Sequence, residues 1–316
     1  VKRSTGIPVT EGKRKARQEA LRLRELELTK TNEMMLSVAI EKAYNEHWSK
    51  KKDPESPRQR LLIILEIIGD IPLGDITPAV ISDLRNQLFD RGIKTSTVNR
   101  YMAALNTLLT LAVYEWEVIE SKPTIKKHKE PKGRIRYLSP EEESFLLNHA
   151  MATGYKDYAD MFAVLLDTGF RFSELNTLQW EDVNFHTKGL HCWRNKGDKP
   201  RTIPMTPRVE RILTERYSRE DRGDYPFNLS YDVAYGVFHG AKVALGLESD
   251  KDFTIHALRH TFASRLAQNG VDLYTIQTLM GHSSITITAR YAHLNTETLA
   301  SAINVLADYQ TGCNQL

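Results

Sequence analysis

The chain has 316 residues, 41% of them hydrophobic and 26% charged, a globular composition long enough for two domains of ordinary size. Its net charge of +3 is too small to establish nucleic-acid binding, so the distribution of charge along the chain says more than the total. Cys192 and Cys313 exclude a dense disulfide pattern and a metal-binding cysteine spacing, and no apolar run approaches the ~20 residues a membrane-spanning helix needs. This cysteine usage suits a reducing, intracellular compartment. No signal peptide is visible in the sequence, which begins at Val1 and is expected to lack a preceding N-terminal piece.

Residues 1–30 are basic and turn helical from Lys13, with Leu21 and Leu28 in a mixed charged surface. A solvated helix or linker and a helix tracking DNA are both open readings. Residues 31–121 read as all-helical. Met35, Leu36, Ala39, Ala43 and Tyr44 recur at helical spacing, and a second helix starts near Pro57. Thr77 caps a third with Pro78 in its first turn, and Arg91-Gly92 stops it. Thr95-Ser96-Thr97 starts a fourth, carrying Val98, Met102, Leu105, Leu108 and Ala112 as core. Lys94, Thr95, Ser96, Thr97, Asn99 and Arg100 cluster at its N-terminus, where hydroxyls, cations and free backbone N–H groups suit a phosphate. An ordinary cap cluster is the plainer alternative.

Residues 122–137 change character, with Lys126, Lys127, Lys129, Lys132, Arg134 and Arg136 in an apolar-poor stretch that reads as an interdomain linker. Such a stretch stays solvated through its charge, or lies along a DNA backbone. A second domain, 138–316, opens on a capping box made by Ser139 and Glu142 with Pro140 in the first turn. A helix is expected from Tyr155 to Asp167, followed by the turn Thr168-Gly169-Phe170-Arg171 and a short helix capped by Ser173. Helical periodicity is lost over 180–205, where three short strands fit, and it resumes from Thr206 with breaks near Gly223 and Gly246. The fold class is mainly α with a small antiparallel β-sheet.

Six residues carry the candidate chemistry. Arg171, at a turn leading into a helix, can grip two phosphate oxygens and stays charged. Lys196, in a hairpin between strands, can reach over a phosphate and protonate a leaving oxygen. His256 and Arg259 share a helix face, with His260 beside them. His282 follows Gly281 at an expected helix start, and Tyr291 comes nine residues later. Singly, each has a blander reading as a core or surface residue. His256 and His260 at this spacing could also ligate a metal, but no hydrolase glutamate or cysteine accompanies them. Neither a phosphate-cradling glycine loop nor a grouping of acids for a two-metal nuclease is present. Direct tyrosine attack on a phosphodiester, with fixed cations stabilising the transition state, fits the set, and neither cofactor, metal nor ATP is called for.

These segments resemble the tyrosine recombinase, or phage integrase, family. Thr168-Gly169-Phe170-Arg171-Phe172-Ser173-Glu174-Leu175 is similar to its first arginine box, and Asn195 to Pro204 to its β-hairpin lysine segment. His256-Ala257-Leu258-Arg259-His260 resembles the second box, and Leu279-Met280-Gly281-His282-Ser283 with Tyr291 the third. Residues 31–121 are similar, more weakly, to the family's SAM-like core-binding domain. Residues 1–30 look like the segment after a small arm-type DNA-binding domain, which would then be absent.

The resemblance implies a site-specific recombinase that integrates or excises a mobile element such as a viral genome. Tyr291 would form a 3′-phosphotyrosyl link, and a Holliday junction would be formed and resolved. Arg171, Arg259 and His282 would hold the phosphate, Lys196 would protonate the leaving 5′-oxygen, and His256 would assist proton transfer at Tyr291. It implies as partners double-stranded DNA attachment sites, a homotetramer, DNA-bending host factors and an excisionase, in the cytoplasm at the nucleoid. Residues 295–310 would suit a terminal helix packing on a neighbour or in cis. Two other readings stay open: a non-catalytic DNA-binding protein of the same fold, and a type IB topoisomerase-like enzyme.

Overall fold

A computed structural model describes residues 34–130, 133, 135–193, 200–294 and 303. The N-terminal basic segment, Lys196 and the 295–310 tail apart from Ile303 lie outside them. The chain divides between Lys132 and Gly133 into two compact units.

In the first unit, α1 (Leu36–Ala43) continues through a wider turn (Tyr44–Trp48) and is followed by α2 (Glu55–Ile68), α3 (Pro78–Asp90) and α4 (Thr95–Tyr114). Of the residues read from periodicity, Leu36, Ala39 and Ala43 of α1 and Val98, Met102, Leu105, Leu108 and Ala112 of α4 are buried, in one core with Ile40, Leu61, Ile64, Leu84 and Leu88, while Met35 and Tyr44 are half-buried. Each fully buried aliphatic side chain contributes about 1.5–3 kcal/mol. Thr77 caps α3 by accepting a hydrogen bond from Val80 N, with Pro78 in the first turn. The segment after α4 is tied down. Lys122 donates to Asn106 at 2.6 Å, Arg85 donates to the Lys126 carbonyl at 2.6 Å, and Asn99 bonds both the N–H and the C=O of His128.

In the second unit, Arg136 pairs with Glu142 and Asp250, and Leu138 N donates to buried Thr261. The stretch read as a solvated linker is therefore held at both described ends, by the unit nearest each. Helices α5 (Pro140–Ala152), α6 (Lys156–Thr168) and α7 (Phe172–Asn176) precede the antiparallel strands β1 (Val183–Asn184), β2 (Gly189–Cys192) and β3 (Arg201–Pro204), ordered β1-β2-β3. Then follow α8 (Pro207–Tyr217), α9 (Tyr231–Ala244), α10 (Ile255–Gln268), α11 (Leu273–Met280), the one-turn α12 (Ile285–Thr288) and a 3-10 turn (Ala289–Leu294). The mainly helical fold with a small sheet is as expected. The Ser139–Glu142 capping box forms. No described helix is long and apolar enough to cross a membrane.

Three features of this unit position the site. The central helix α6 is buried along Met161 to Leu166 and packs against α10. It ends at Gly169 in a left-handed conformation (φ 62°), and α11 ends likewise at Gly281 (φ 63°). Strand alternation turns Arg201 and Ile203 inward and Thr202 and Pro204 outward. The ideal Cβ of a residue replacing Gly169 would lie 2.4 Å from the Phe262 ring. Gly169→Ala should cost about 2–4 kcal/mol, from the left-handed backbone and the overpacking together. Denaturant unfolding checks this; an unchanged midpoint would contradict the fit.

Candidate active site

The site grows from one short helix. Ser173 was expected to cap α7, but it lies inside the helix, and Arg171 is the N-cap residue. The capping acceptor is Glu174, whose carboxylate takes the Arg171 N–H at 2.9 Å. Glu174 is 5% exposed and collects charge from three directions. It pairs with the Arg171 guanidinium one turn back, with Arg201 from β3 at 2.8 Å, and with Arg259 from α10 at 3.8 Å. Burial alone would raise its pKa. The hydrogen bond and charge of Arg201, with Arg171 adding to them, outweigh that and hold the carboxyl below its usual value.

Arg259 is 2% exposed and is held mainly by backbone. Its guanidinium donates to the carbonyls of Gly169 and Met280, which end α6 and α11. Two helix C-termini, each carrying partial negative charge, thus point at one cation. Burial, helped by Arg171, draws its pKa down to about 9, which leaves it charged at neutral pH. Arg201 donates to the next carbonyl along, Leu279 O, at 2.9 Å. The Cβ of any residue at Gly281 would come within 2.7 Å of Arg201, so glycine serves the left-handed turn and the close approach alike.

Gly281 ends a helix and does not begin one, which corrects the placement of His282. The His282 ring is 9% exposed, and its Nδ1 lies 2.8 Å from the hydroxyl of fully buried Thr288. Burial, then Arg259 and Arg171, lower its pKa to about 4. Tyr291 is 2% exposed, its ring packed with Ala263, Ala267, Ile276 and Met280. Burial raises its pKa, opposed by Arg259 and Arg290. The Tyr291 hydroxyl lies 2.6 Å from Nδ1 of His260. His256, one turn earlier, is exposed, sits edge-on to His260 at 4.8 Å, and lines a cavity of about 100 Å³ with Phe170, Phe172, Tyr231 and Arg259.

Five of the six candidate residues, Arg171, His256, Arg259, His282 and Tyr291, thus converge. Lys196 lies outside the described residues. Sequence reasoning gave no role to Glu174, Arg201 or Thr288, and weighed His260 only as a possible metal ligand beside His256. Only His260 left a signal, its place one turn beyond His256. Among the described residues, no three His, Cys, Asp or Glu side chains group as a metal site. In the other unit, Lys94, Arg100, Lys126, Lys127 and Lys129 are exposed and Thr95, Ser96 and Thr97 half-buried. Asn99 is only 5% exposed and engaged with His128 and Glu130, so its amide is not open to a ligand.

A family model described as the phage integrase family matches residues 136–298. The chain belongs to this family. The integrase of Escherichia phage P2 is 30% identical over 249 residues, covering 78% of this chain and 69% of that protein. The Tn1549 transposon integrase, solved in complex with transposon right-end DNA, matches with a TM-score of 0.68 at 25% identity, covering 87% of this chain and all of that one. A lambda integrase tetramer bound to a Holliday junction shares the fold, with a TM-score of 0.66 at 20% identity, covering 84% of this chain and 79% of that one. Other relatives are named tyrosine recombinases. The phage integrase family member described here is a tyrosine-type site-specific recombinase.

The histidines make the fold acid-sensitive. His260, like His282, has a pKa of about 4, lowered first by burial and then by His256 and Arg290. Unfolded histidines titrate near ~6.5. The unfolded chain therefore takes up protons first, so the stability these two supply is complete above about pH 6.5 and declines towards about pH 4. Thermal melts of the DNA-free protein should fall across that window. A His260→Asn, His282→Asn double variant should fall less steeply; an identical slope would contradict the assignment.

Proposed function

We propose that this recombinase breaks and rejoins DNA through Tyr291. The carrying observation is a buried phenol hydrogen-bonded to an imidazole, beside a cluster of guanidiniums with too few carboxylates to neutralise them. In this reading the Tyr291 oxygen attacks a backbone phosphate, giving a 3′-phosphotyrosyl link and a free 5′-hydroxyl. Arg171 and Arg259 hold the non-bridging oxygens and stabilise the charge that builds on them. His282, fixed by Thr288, adds a contact to the phosphate, and exposed His256, which lines a cavity with Arg259, assists proton transfer at Tyr291. Lys196 protonates the leaving 5′-oxygen. The phosphotyrosyl ester conserves the energy of the broken bond, so rejoining requires no ATP.

The substrates are double-stranded attachment sites of an integrative element, exchanged by a homotetramer through a Holliday junction, with DNA-bending host factors and an excisionase as accessories. The setting is the cytoplasm, at the nucleoid. The first unit grips the duplex through Lys94, Thr95, Ser96, Thr97 and Arg100, helped by Lys126, Lys127 and Lys129. Arg100 also lines a groove with Trp48, Arg60 and Thr107, which puts two cations on one open face.

The test uses nicked duplexes spanning the element's junctions, read by denaturing electrophoresis. A covalent band that disappears in Tyr291→Phe, and strand exchange between two sites, are the expected results. Arg259→Lys should slow cleavage by about 10²–10³-fold while leaving gel-shift affinity within a few fold. No band at any junction would leave only a DNA-binding role, and relaxation without exchange would mark a topoisomerase.

A further inference from the structure

We propose that Thr288 is a positioning residue for cleavage: its hydroxyl donates to Nδ1 of His282, which fixes the ring proton on Nε2 and presents it as a neutral donor to the scissile phosphate. The inference rests on the phosphate contact read for His282 above and names what orients it.

The direction of the hydrogen bond follows from where hydroxyl protons go. The Thr288 side chain is 0% exposed, and its Oγ1 lies 2.8 Å from Nδ1 of His282. Other helical threonines give their proton to the carbonyl four residues back, as Thr107, Thr110, Thr168, Thr261 and Thr278 do. Thr288 does not, and among the described residues Nδ1 of His282 is the one hydrogen-bond partner its hydroxyl has. A buried O–H left without an acceptor is destabilising, and this one is out of reach of bulk water. Oγ1 therefore donates to Nδ1. A neutral imidazole that accepts through one nitrogen carries its proton on the other. The opposite arrangement, Nδ1–H donating to Oγ1, would strand the hydroxyl proton and leave a bare lone pair on Nε2.

The backbone holds the ring where that proton is useful. His282 follows the left-handed turn at Gly281, and Gln277 grips it from both sides. The His282 N–H donates to the Gln277 carbonyl at 3.1 Å, and the Gln277 side-chain amide donates to the His282 carbonyl at 3.1 Å. The charged and titratable groups about the ring are Arg259, His256 and His260 on α10, Arg171 at the start of α7 and Arg201 on β3. Burial and the guanidiniums among these keep the imidazole neutral down to about pH 4. A neutral ring attracts a phosphate oxygen through an N–H, whereas a lone pair turned to the same oxygen repels it. Thr288 decides which of the two faces the site.

Single-turnover cleavage of a nicked junction duplex by the full chain tests the assignment, with thermal melts to confirm folding. Thr288→Val keeps the shape and removes the hydroxyl. It should bind DNA within a few fold of the parent and cleave about 10–10²-fold more slowly at about pH 7, an effect of the size seen when the partner orienting a functional imidazole is lost. Thr288→Ser retains the hydroxyl and should recover cleavage to within a few fold of the parent. In a His282→Ala background, Thr288→Val should slow cleavage no further, because the ring it orients is gone. A Thr288→Val rate within a few fold of the parent, a Thr288→Ser variant as slow as Thr288→Val, or losses that multiply in the double variant would overturn the proposal. If His282→Ala itself cleaves as the parent does, the phosphate contact read for His282 fails; if it is slow while Thr288→Val is not, only this inference fails. Nitrogen-15 NMR of the unsubstituted DNA-free protein gives an answer that no folding defect can obscure. The His282 ring should be neutral at about pH 7 with its proton on Nε2, and a proton resident on Nδ1 would overturn the proposal.

Discussion

The site depends on one buried carboxylate shared among three guanidiniums. Glu174 is 5% exposed, and Arg201 and Arg259 beside it are 8% and 2% exposed. Burying ions is costly, and removing one partner of a buried pair typically costs about 3–5 kcal/mol because it strands the other. Here the count is uneven, with three cations to one anion. Backbone carbonyls of Gly169, Leu279 and Met280 supply the remaining stabilisation. Carbonyls orient a guanidinium without cancelling its charge. Among the described residues the cluster therefore keeps a net positive charge, which in the proposed function a phosphodiester would meet.

That arrangement explains why elements distant in sequence end where they do. The C-termini of α6 and α11 converge on Arg259, and each reverses through a left-handed glycine. The α11 turn also presents Leu279 O to Arg201 and sends the chain directly into His282. Strand β3 delivers Arg201 from the inward side of its alternation, which links the sheet to the same carboxylate. The 3-10 turn then brings Tyr291 back onto α10, where His260 receives its hydroxyl. A shift at any of these supports would move a guanidinium relative to Tyr291, and the proposed phosphoryl transfer would be sensitive to displacements of that size.

The local chemistry of the fold was legible in the sequence. Thr77 with Pro78 and Ser139 with Glu142 cap helices through contacts three residues apart, and the apolar stripes of α1 and α4 follow from period alone. The candidate residues Arg171, His256, Arg259, His282 and Tyr291 were legible as an ordered set. What was not legible depends on contacts across the fold. Ser173 has the chemistry of a cap, yet Glu174 outcompetes it because two further arginines fix that carboxylate in place. Gly281 before His282 looks like a helix start, but α11 ends there. Asn99 sits among hydroxyls and cations at a helix N-terminus, and only the path of residues 126–130 shows that its amide is occupied. His256 and His260 are alike in spacing, and only the return of the chain at Tyr291 shows which of the two meets the phenol.

The most direct test of this account removes the charge of Glu174 and keeps its shape. With Glu174→Gln, the DNA-bound protein should retain gel-shift affinity within a few fold, since the phosphate-facing cations remain. Single-turnover cleavage at saturating DNA should fall about 10²–10³-fold, because Arg171 and Arg259 lose the anchor that aligns them for the role proposed above. Cleavage within a few fold of the unsubstituted protein would mean that the backbone carbonyls alone align the arginines, and would contradict the central role given to this carboxylate.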